Sequence, residues 1–216
     1  MSEKVSFSSL RRELKALGNK EKAAFVAGYF KTGKGEYGEG DVLLGITVPV
    51  QRRVAKKYMG LRLEDVVKLL HSPIHEERFV ALEILVMKYE RGDEQEKKQV
   101  VDAYLNNLEF VNNWDLVDTS AKYLLGEYLR DKPRKILYKL AKSKNIWQRR
   151  VAIITTHAFI DQRDFADTLT IAASLLQDSH DLIHKAVGWM LREVGNKSQP
   201  ALETFLKKHG FVAQLP

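Results

Sequence analysis

The stretch EERFVALEILVMKY, Glu76 to Tyr89, carries the pattern that decides the fold, because its apolar residues recur at intervals of three and four around a central alanine, Ala81. That spacing places the apolar residues on one face of an α-helix. The same pattern runs along almost the whole chain, and an apolar run without it stands only in DVLLGITVPV, Asp41 to Val50. The sequence therefore predicts an all-α protein whose short connections fall where Gly, Pro, Asn, Asp and Ser collect.

A repeat emerges when the more apolar helices are aligned on an alanine near their middle. The aligned residues are Ala55, Ala81, Ala121, Ala152 and Ala186, separated by 26, 40, 31 and 34 residues. Intervals of this size suit paired-helix repeats. We therefore expect helical hairpins stacked in a curved solenoid, as one domain over residues 1–216.

A basic residue is the commonest choice three positions before these alanines. The residues there are Arg52, Arg78, Asp118, Arg149 and Ile183. If the second helix of each pair lines the inner wall of the stack, these side chains form a basic concave face that fits a phosphate backbone. The alternative interpretation, ordinary solvated charges beside a core stripe, agrees equally well with the pattern.

Composition limits the classes of function. The 216 residues are 44% apolar, and 35 Lys and Arg against 28 Asp and Glu give a net charge of +7, which favours polyanionic partners. The absence of cysteine excludes disulfides, thiolate metal sites and a cysteine nucleophile. No stretch resembles a signal peptide or a membrane span of about 18 apolar residues. We expect a cytoplasmic protein with no membrane partner.

The stretch VNNWDLVDTSAKYL, Val111 to Leu124, places a tryptophan and two aspartates at the start of a helix. The buried stripe of this helix is predicted to be Val117, Ala121, Leu124 and Tyr128. Trp114 and Asp118 flank the stripe one turn apart. Asp115 is interpreted as a first-turn acid, with Asn112 or Asn113 as the cap. Asp118 lies too far into the helix to cap it, and a carboxylate in a basic surface repels phosphate, a cost that binding alone does not explain.

The other two tryptophans each have an arginine three residues later: Trp147 with Arg150, and Trp189 with Arg192. For Trp147, core filling explains the residue as well as a functional role does. Two aromatic rings and one carboxylate indicate a site for a flat cationic group, because a ring face attracts positive charge by ~0.5 to 2 kcal/mol.

The motifs NWDLVD, WQRR and HKAVGWMLRE, with AGYF and LLGITVPVQRR near the N-terminus, resemble the AlkD family of DNA alkylation repair glycosylases, which have a HEAT-like helical repeat fold. The resemblance covers nearly the whole chain and keeps the order of the motifs. It implies that the residues around the damaged nucleotide are Trp114, Asp118, Arg150 and Trp189. The further contacts to DNA that it implies are Tyr29 and Arg192. The other basic residues of these motifs are also expected to bind DNA, and they are Arg149, Lys185, Arg52 and Arg53.

This resemblance implies hydrolysis of the N-glycosidic bond of N3-methyladenine and N7-methylguanine in double-stranded DNA by a monomer without metal or cofactor, associated with the nucleoid during repair. An alkylated base is already cationic, so it leaves as a neutral molecule and needs no general acid. Asp118 would stabilise the oxocarbenium-like sugar and position water, while Trp114 and Trp189 would hold the sugar and base. The alternative is a non-catalytic HEAT-like module that binds damaged DNA or a protein partner through the same groove.

Two other patterns are interpreted as structural. GKGEYG, residues 33–38, has G-x-G-x-x-G spacing but follows a helical segment, so we expect a flexible loop that touches DNA through Lys31 and Lys34. The histidine pairs are His71 with His75 and His180 with His184. No acidic residue completes a metal set for either pair, so structural or solvent-facing roles are predicted.

Overall fold

The computed structural model describes residues 5–210. Within this range the protein contains no β-strand, and an isolated parallel bridge joins Val42 to Ile74. The all-α prediction is therefore confirmed. None of the helices in the described range is both long and apolar enough to cross a membrane.

The first of two compact units ends at Ser120. Its helices are α1 (Phe7–Leu17), α2 (Lys20–Tyr29), α3 (Val48–Tyr58), α4 (Leu63–Leu70), α5 (His75–Arg91), α6 (Glu94–Asn106) and α7 (Trp114–Ser120), with a 3₁₀ turn at Leu108–Phe110. Helix α5 packs against α3, α4, α6 and α7, so it is buried on nearly its whole circumference. Helix α2 is the opposite case, because none of its residues is buried.

The second unit begins at Ala121. A π-helical segment, Lys122–Gly126, opens it, and its α-helices are α8 (Lys135–Ala141), α9 (Ile146–Thr155), α10 (His157–Ile160), α11 (Ala166–Leu175), α12 (Asp181–Lys197) and α13 (Gln199–Lys208). Helix α9 packs against α8 and α12, and α12 also packs against α11 and α13. Buried apolar residues of α9 and α12 form much of the core of the unit.

Polar residues at the predicted breaks cap the helices. Side chains at the N-caps accept hydrogen bonds from first-turn amides at Ser6, Asn19, Asp93, Asn145 and Ser198. Each cap of this kind contributes about 0.5–2 kcal/mol, because it satisfies an amide that the helix itself leaves without a partner. The short connections therefore help to define where the helices begin.

The alanine register holds in the structure. All five alanines have 0% exposure, so each lies in the core of its unit. They are Ala55, Ala81, Ala121, Ala152 and Ala186. A small residue at this position lets neighbouring helices approach closely. The sequence alignment on these alanines therefore identified real packing positions.

Each arginine of that register pairs with an acid. The ion pairs are Arg52 with Glu83 at 3.0 Å, Arg78 with Asp41 at 2.6 Å, and Arg149 with Asp178 at 2.6 Å. Arg78 is only 3% exposed. Arg78 and Arg149 are thus committed to ion pairs inside the fold, whereas Arg52 keeps 59% of its side chain exposed to solvent.

The buried stripe of the Trp114 helix changes phase after α7. The predicted core positions Val117, Ala121 and Leu124 are all fully buried. Tyr128 is half-buried instead, and Leu129 takes the core position with 5% exposure. The reason is the π-helical turn, in which the Gly126 amide donates to the carbonyl of Ala121 at 2.9 Å and so adds one residue to the turn.

Candidate functional site

An aromatic cluster in the first unit, formed by Tyr29, Phe30 and Trp114, contains two of the predicted site residues. The rings of Tyr29 and Trp114 meet edge to face with centroids 5.4 Å apart. Phe30 stacks on Trp114 at 5.7 Å, with 19° between the ring planes. Tyr29 is 64% exposed, and Trp114 is half-buried. The cluster therefore presents aromatic surface to solvent, where ring faces and edges suit a sugar or a cationic base.

The glycine-rich loop, residues 31–41, turns back to meet the end of α2. The amide of Gly38 donates to the carbonyl of Lys31 at 2.9 Å, and a side chain at Gly38 would collide with the carbonyl oxygen of Phe30. Two glutamates accept hydrogen bonds from glycine amides at 2.8 Å: Glu36 from Gly33, and Glu39 from Gly35. No strand precedes the loop and no helix opens at its last glycine, so the dinucleotide interpretation is excluded.

Asp118 is half-buried on α7, one turn after Trp114. The next residue, Thr119, donates from Oγ1 to Glu83 at 2.7 Å and so ties this turn of α7 to α5. Burial raises the pKa of Tyr104, and the negative charge of Asp118 raises it further. Asp118 is therefore close enough to the buried phenol of Tyr104 for the two groups to interact electrostatically.

Four consecutive charged residues of the first turn of α5 are buried, and we call them the α5 charge cluster: His75, Glu76, Glu77 and Arg78, each at most 3% exposed. Both oxygens of Glu76 accept backbone amides, including that of Gly45 at 2.7 Å. Glu77 receives the guanidinium of Arg11 at 2.9 Å. This cluster was not predicted, because charged residues at a helix start normally face solvent.

His75 is held between two carboxylates. Its Nδ1 lies 3.0 Å from Asp41 Oδ2 and its Nε2 lies 2.8 Å from Asp115 Oδ2. Burial lowers the pKa of His75, but Asp115 and Asp41 raise it more strongly, and the result is a pKa of about 9. Burial raises the pKa of Asp41, yet its hydrogen bond to His75 and the charge of Arg78 hold it below its usual value. Asp115 does lie in the first turn of α7, as predicted, but its partner was not foreseen.

In the second unit, Trp189 lies on α12 beside an acid. Its indole Nε1–H donates to Glu193 Oε1 at 3.1 Å, and the ring of His157 meets it edge to face at 5.7 Å. Glu193 Oε1 also lies 3.6 Å from Nη2 of Arg192, which is exposed. Burial and the nearby charge of Lys122 lower the pKa of His157, so the imidazole beside Trp189 is neutral at neutral pH.

The arginines that follow Trp147 are buried or paired. Arg150 is 5% exposed, and its Nη1 donates to the carbonyl of Leu182 at 2.6 Å. Arg149 is linked through Nε to Asp178 at 2.6 Å. Trp147 itself is 6% exposed, so its interpretation as a core residue is confirmed.

The remaining predicted DNA contacts are exposed. Arg52, which pairs with Glu83 at 3.0 Å, has 59% of its side chain exposed. Lys185 is 69% exposed and lies 2.9 Å from Asp181 on the same helix. Arg53 is also exposed. These three side chains are available to a phosphate backbone, whereas Arg149 and Arg150 are committed to internal contacts.

The histidines have structural or solvent-facing positions, as predicted. His180 caps α12, because its Nδ1 accepts from the amide of Leu182, while His184 and His71 are exposed and His75 is buried. Among residues 5–210, no group of three or more His, Asp or Glu side chains is placed to hold a metal ion.

Comparison with known proteins gives a family and a fold. Residues 10–214 match the family described as DNA alkylation repair enzyme. A structure described as a predicted DNA alkylation repair enzyme from Enterococcus faecalis matches with a TM-score of 0.67 and 19% identity, over 88% of this chain and 89% of that one. AlkD2 from Streptococcus mutans matches with a TM-score of 0.53 and 18% identity, over 94% and 89%. The protein smu.31 from Streptococcus mutans UA159 matches with a TM-score of 0.52 and 17% identity, over 93% and 89%. No curated protein matches significantly.

Proposed function

Because the chain belongs to the DNA alkylation repair enzyme family, we propose that it hydrolyses the N-glycosidic bond of cationic alkylpurines, N3-methyladenine and N7-methylguanine, in double-stranded DNA. The observation that carries this proposal is the edge-to-face pair of exposed Tyr29 and half-buried Trp114, one helical turn from the carboxylate of Asp118. Aromatic rings one turn from a carboxylate suit a cationic nucleotide whose sugar becomes positive as the bond breaks.

The proposed hydrolysis requires a single carboxylate. The base departs as a neutral molecule because alkylation has already made it cationic, so no general acid is required. Asp118 stabilises the developing oxocarbenium ion and positions the attacking water, and the electron pair of the broken bond stays with the base. Trp114 and Tyr29 contact the sugar and the lesion strand.

The second unit contributes its own contacts in this proposal. Trp189 contacts the cationic nucleotide through its ring, and the acceptor Glu193 on its indole N–H fixes the ring orientation. Arg192 and Lys185, both exposed, contact phosphates together with Arg53 of the first unit. Arg150 is buried and donates to the carbonyl of Leu182, so this proposal gives it a role within the second unit and no direct phosphate contact. The protein acts as a cytoplasmic monomer.

The test is an excision assay on duplex DNA that contains a single N7-methylguanine. We expect wild type to release the base, and Asp118→Asn to lose at least a hundredfold in single-turnover rate while duplex binding persists. The matched control is Asp102→Asn, which removes an exposed carboxylate of α6 that pairs with Lys98. Salt-dependent binding by wild type without release of any base would instead favour the non-catalytic module.

A further inference from the structure

His75 occupies an unusual chemical environment. It is 2% exposed, and each ring nitrogen faces a carboxylate oxygen, Asp41 at 3.0 Å and Asp115 at 2.8 Å. An ionised carboxylate only accepts hydrogen bonds, so both ring nitrogens must donate. The ring is therefore an imidazolium, a buried cation with one anion at each end.

Two separate contacts connect this cation with the aromatic cluster. In the first, His75 hydrogen-bonds Asp115, and Asp115 directly follows Trp114 at the start of α7. The second is a stack of rings, since Phe30 lies 4.5 Å from the His75 ring and 5.7 Å from the Trp114 ring. A displacement of His75 would therefore affect the position of Trp114 through both contacts.

We propose that His75 is a positioning residue for the candidate site: its imidazolium, clamped between Asp41 and Asp115, fixes the start of α7 against α5 and so sets the placement of Trp114 and Asp118. This inference rests on the proposed function. His75 does not contact the substrate, and it acts through α7 and through Phe30.

The charges around His75 come from each element that packs on it. Asp115 faces it from α7 and Asp41 from the glycine-rich loop, and both favour the imidazolium. Arg78, three residues after His75 in α5, opposes it but is itself neutralised by Asp41 at 2.6 Å. Phe30, the residue that follows α2, contributes an uncharged ring.

The first experiment compares His75→Gln with Glu77→Gln. Both variants remove a buried ionic partner from the same turn of α5, but the ionic partner of Glu77 is Arg11 of α1, whereas His75 is bonded to Asp115 of α7. We expect His75→Gln to lower the single-turnover rate of N7-methylguanine release by about tenfold to a hundredfold, as small displacements of a catalytic group do. Glu77→Gln is expected to stay within about twofold of wild type. Equal losses in the two variants would overturn the proposal.

The second experiment follows pH from 7 to 10. The ratio of the wild-type rate to the His75→Gln rate cancels any titration of the lesion itself. We expect that ratio to fall towards one above pH 9, because wild type then loses the charge that the variant never had. A ratio that does not change with pH means that the shape of His75, and not its charge, matters, and it would refute the positioning mechanism.

A third measurement does not depend on activity. Replacing Trp147 and Trp189 by phenylalanine leaves Trp114 as the single tryptophan, whose fluorescence reports its surroundings. Adding His75→Gln is expected to shift the emission and to increase acrylamide quenching, whereas adding Glu77→Gln is not. If wild type fails to release any base but Trp114 still responds in this way, the proposed function is wrong while the positioning inference holds. No response at Trp114 would reject the inference on its own.

Discussion

The charge on His75 makes a quantitative prediction about stability. The ordinary pKa of a histidine is 6.5, and the two carboxylates raise that of His75 to about 9. A group whose pKa is raised by folding makes its full contribution to stability at pH values below its pKa in the unfolded protein. This contribution is lost as the pH rises through its pKa in the folded protein. The loss therefore falls between pH 6.5 and about 9. At about 1.4 kcal/mol per pH unit, it amounts to about 3 kcal/mol.

Urea unfolding at several pH values measures this quantity. The free energy of unfolding is compared between wild type and His75→Gln, because the difference cancels the groups that both proteins share. We expect wild type to exceed the variant by about 3 kcal/mol more at pH 6 than at pH 9.5. The difference in free energy of unfolding between wild type and Glu77→Gln should stay constant over the same pH range. A constant difference between wild type and His75→Gln would refute the assignment of a buried imidazolium.

The remaining predictions concern single side chains. Asp118→Asn should abolish excision but leave duplex binding within about threefold, measured by fluorescence anisotropy. Gly126→Ala should cost about 1–3 kcal/mol in urea unfolding, because its Cβ would lie 2.7 Å from a carbonyl oxygen at the end of α9. Gly188→Ala, whose Cβ would meet nothing within 4 Å, is the control and should stabilise α12 by about 0.5–1 kcal/mol. Arg53→Ala and Lys185→Ala should each reduce the slope of log Kd against log salt by about 1 if these residues contact phosphates.

The helices could be predicted from sequence because their signals are local. The segment LEDVVKLL forms α4, Leu63–Leu70, in which three apolar residues at helical spacing, Val66, Leu69 and Leu70, form one buried face. The buried alanines were also predictable, because a small residue recurs among larger apolar ones. The displacement of Tyr128 from the core was not, since nothing in the local pattern indicates the π-helical turn.

The α5 charge cluster lay beyond any local pattern. The carboxylates that hold His75 stand 34 and 40 residues away, one on either side in the chain, and the acidic partner of Arg78 is the first of them. Local patterns also predict that a charged first turn faces solvent, since Glu76 and Glu77 there interact favourably with the positive end of the helix dipole. Only the tertiary arrangement of loop, α5 and α7 shows that these charges compensate one another.

A buried ionic cluster is a poor source of stability, because removing the charges from water costs about as much as their attraction returns. An apolar pair of similar volume, His75→Phe with Asp115→Leu, leaves the pair of Asp41 and Arg78 intact. We expect the free energy of unfolding of this double variant to lie within about 2 kcal/mol of the wild-type value at pH 7. Its excision rate should nevertheless stay reduced, because apolar packing lacks the two fixed donor directions by which the imidazolium sets α7. Full recovery of the rate together with stability would mean that packing alone positions Trp114.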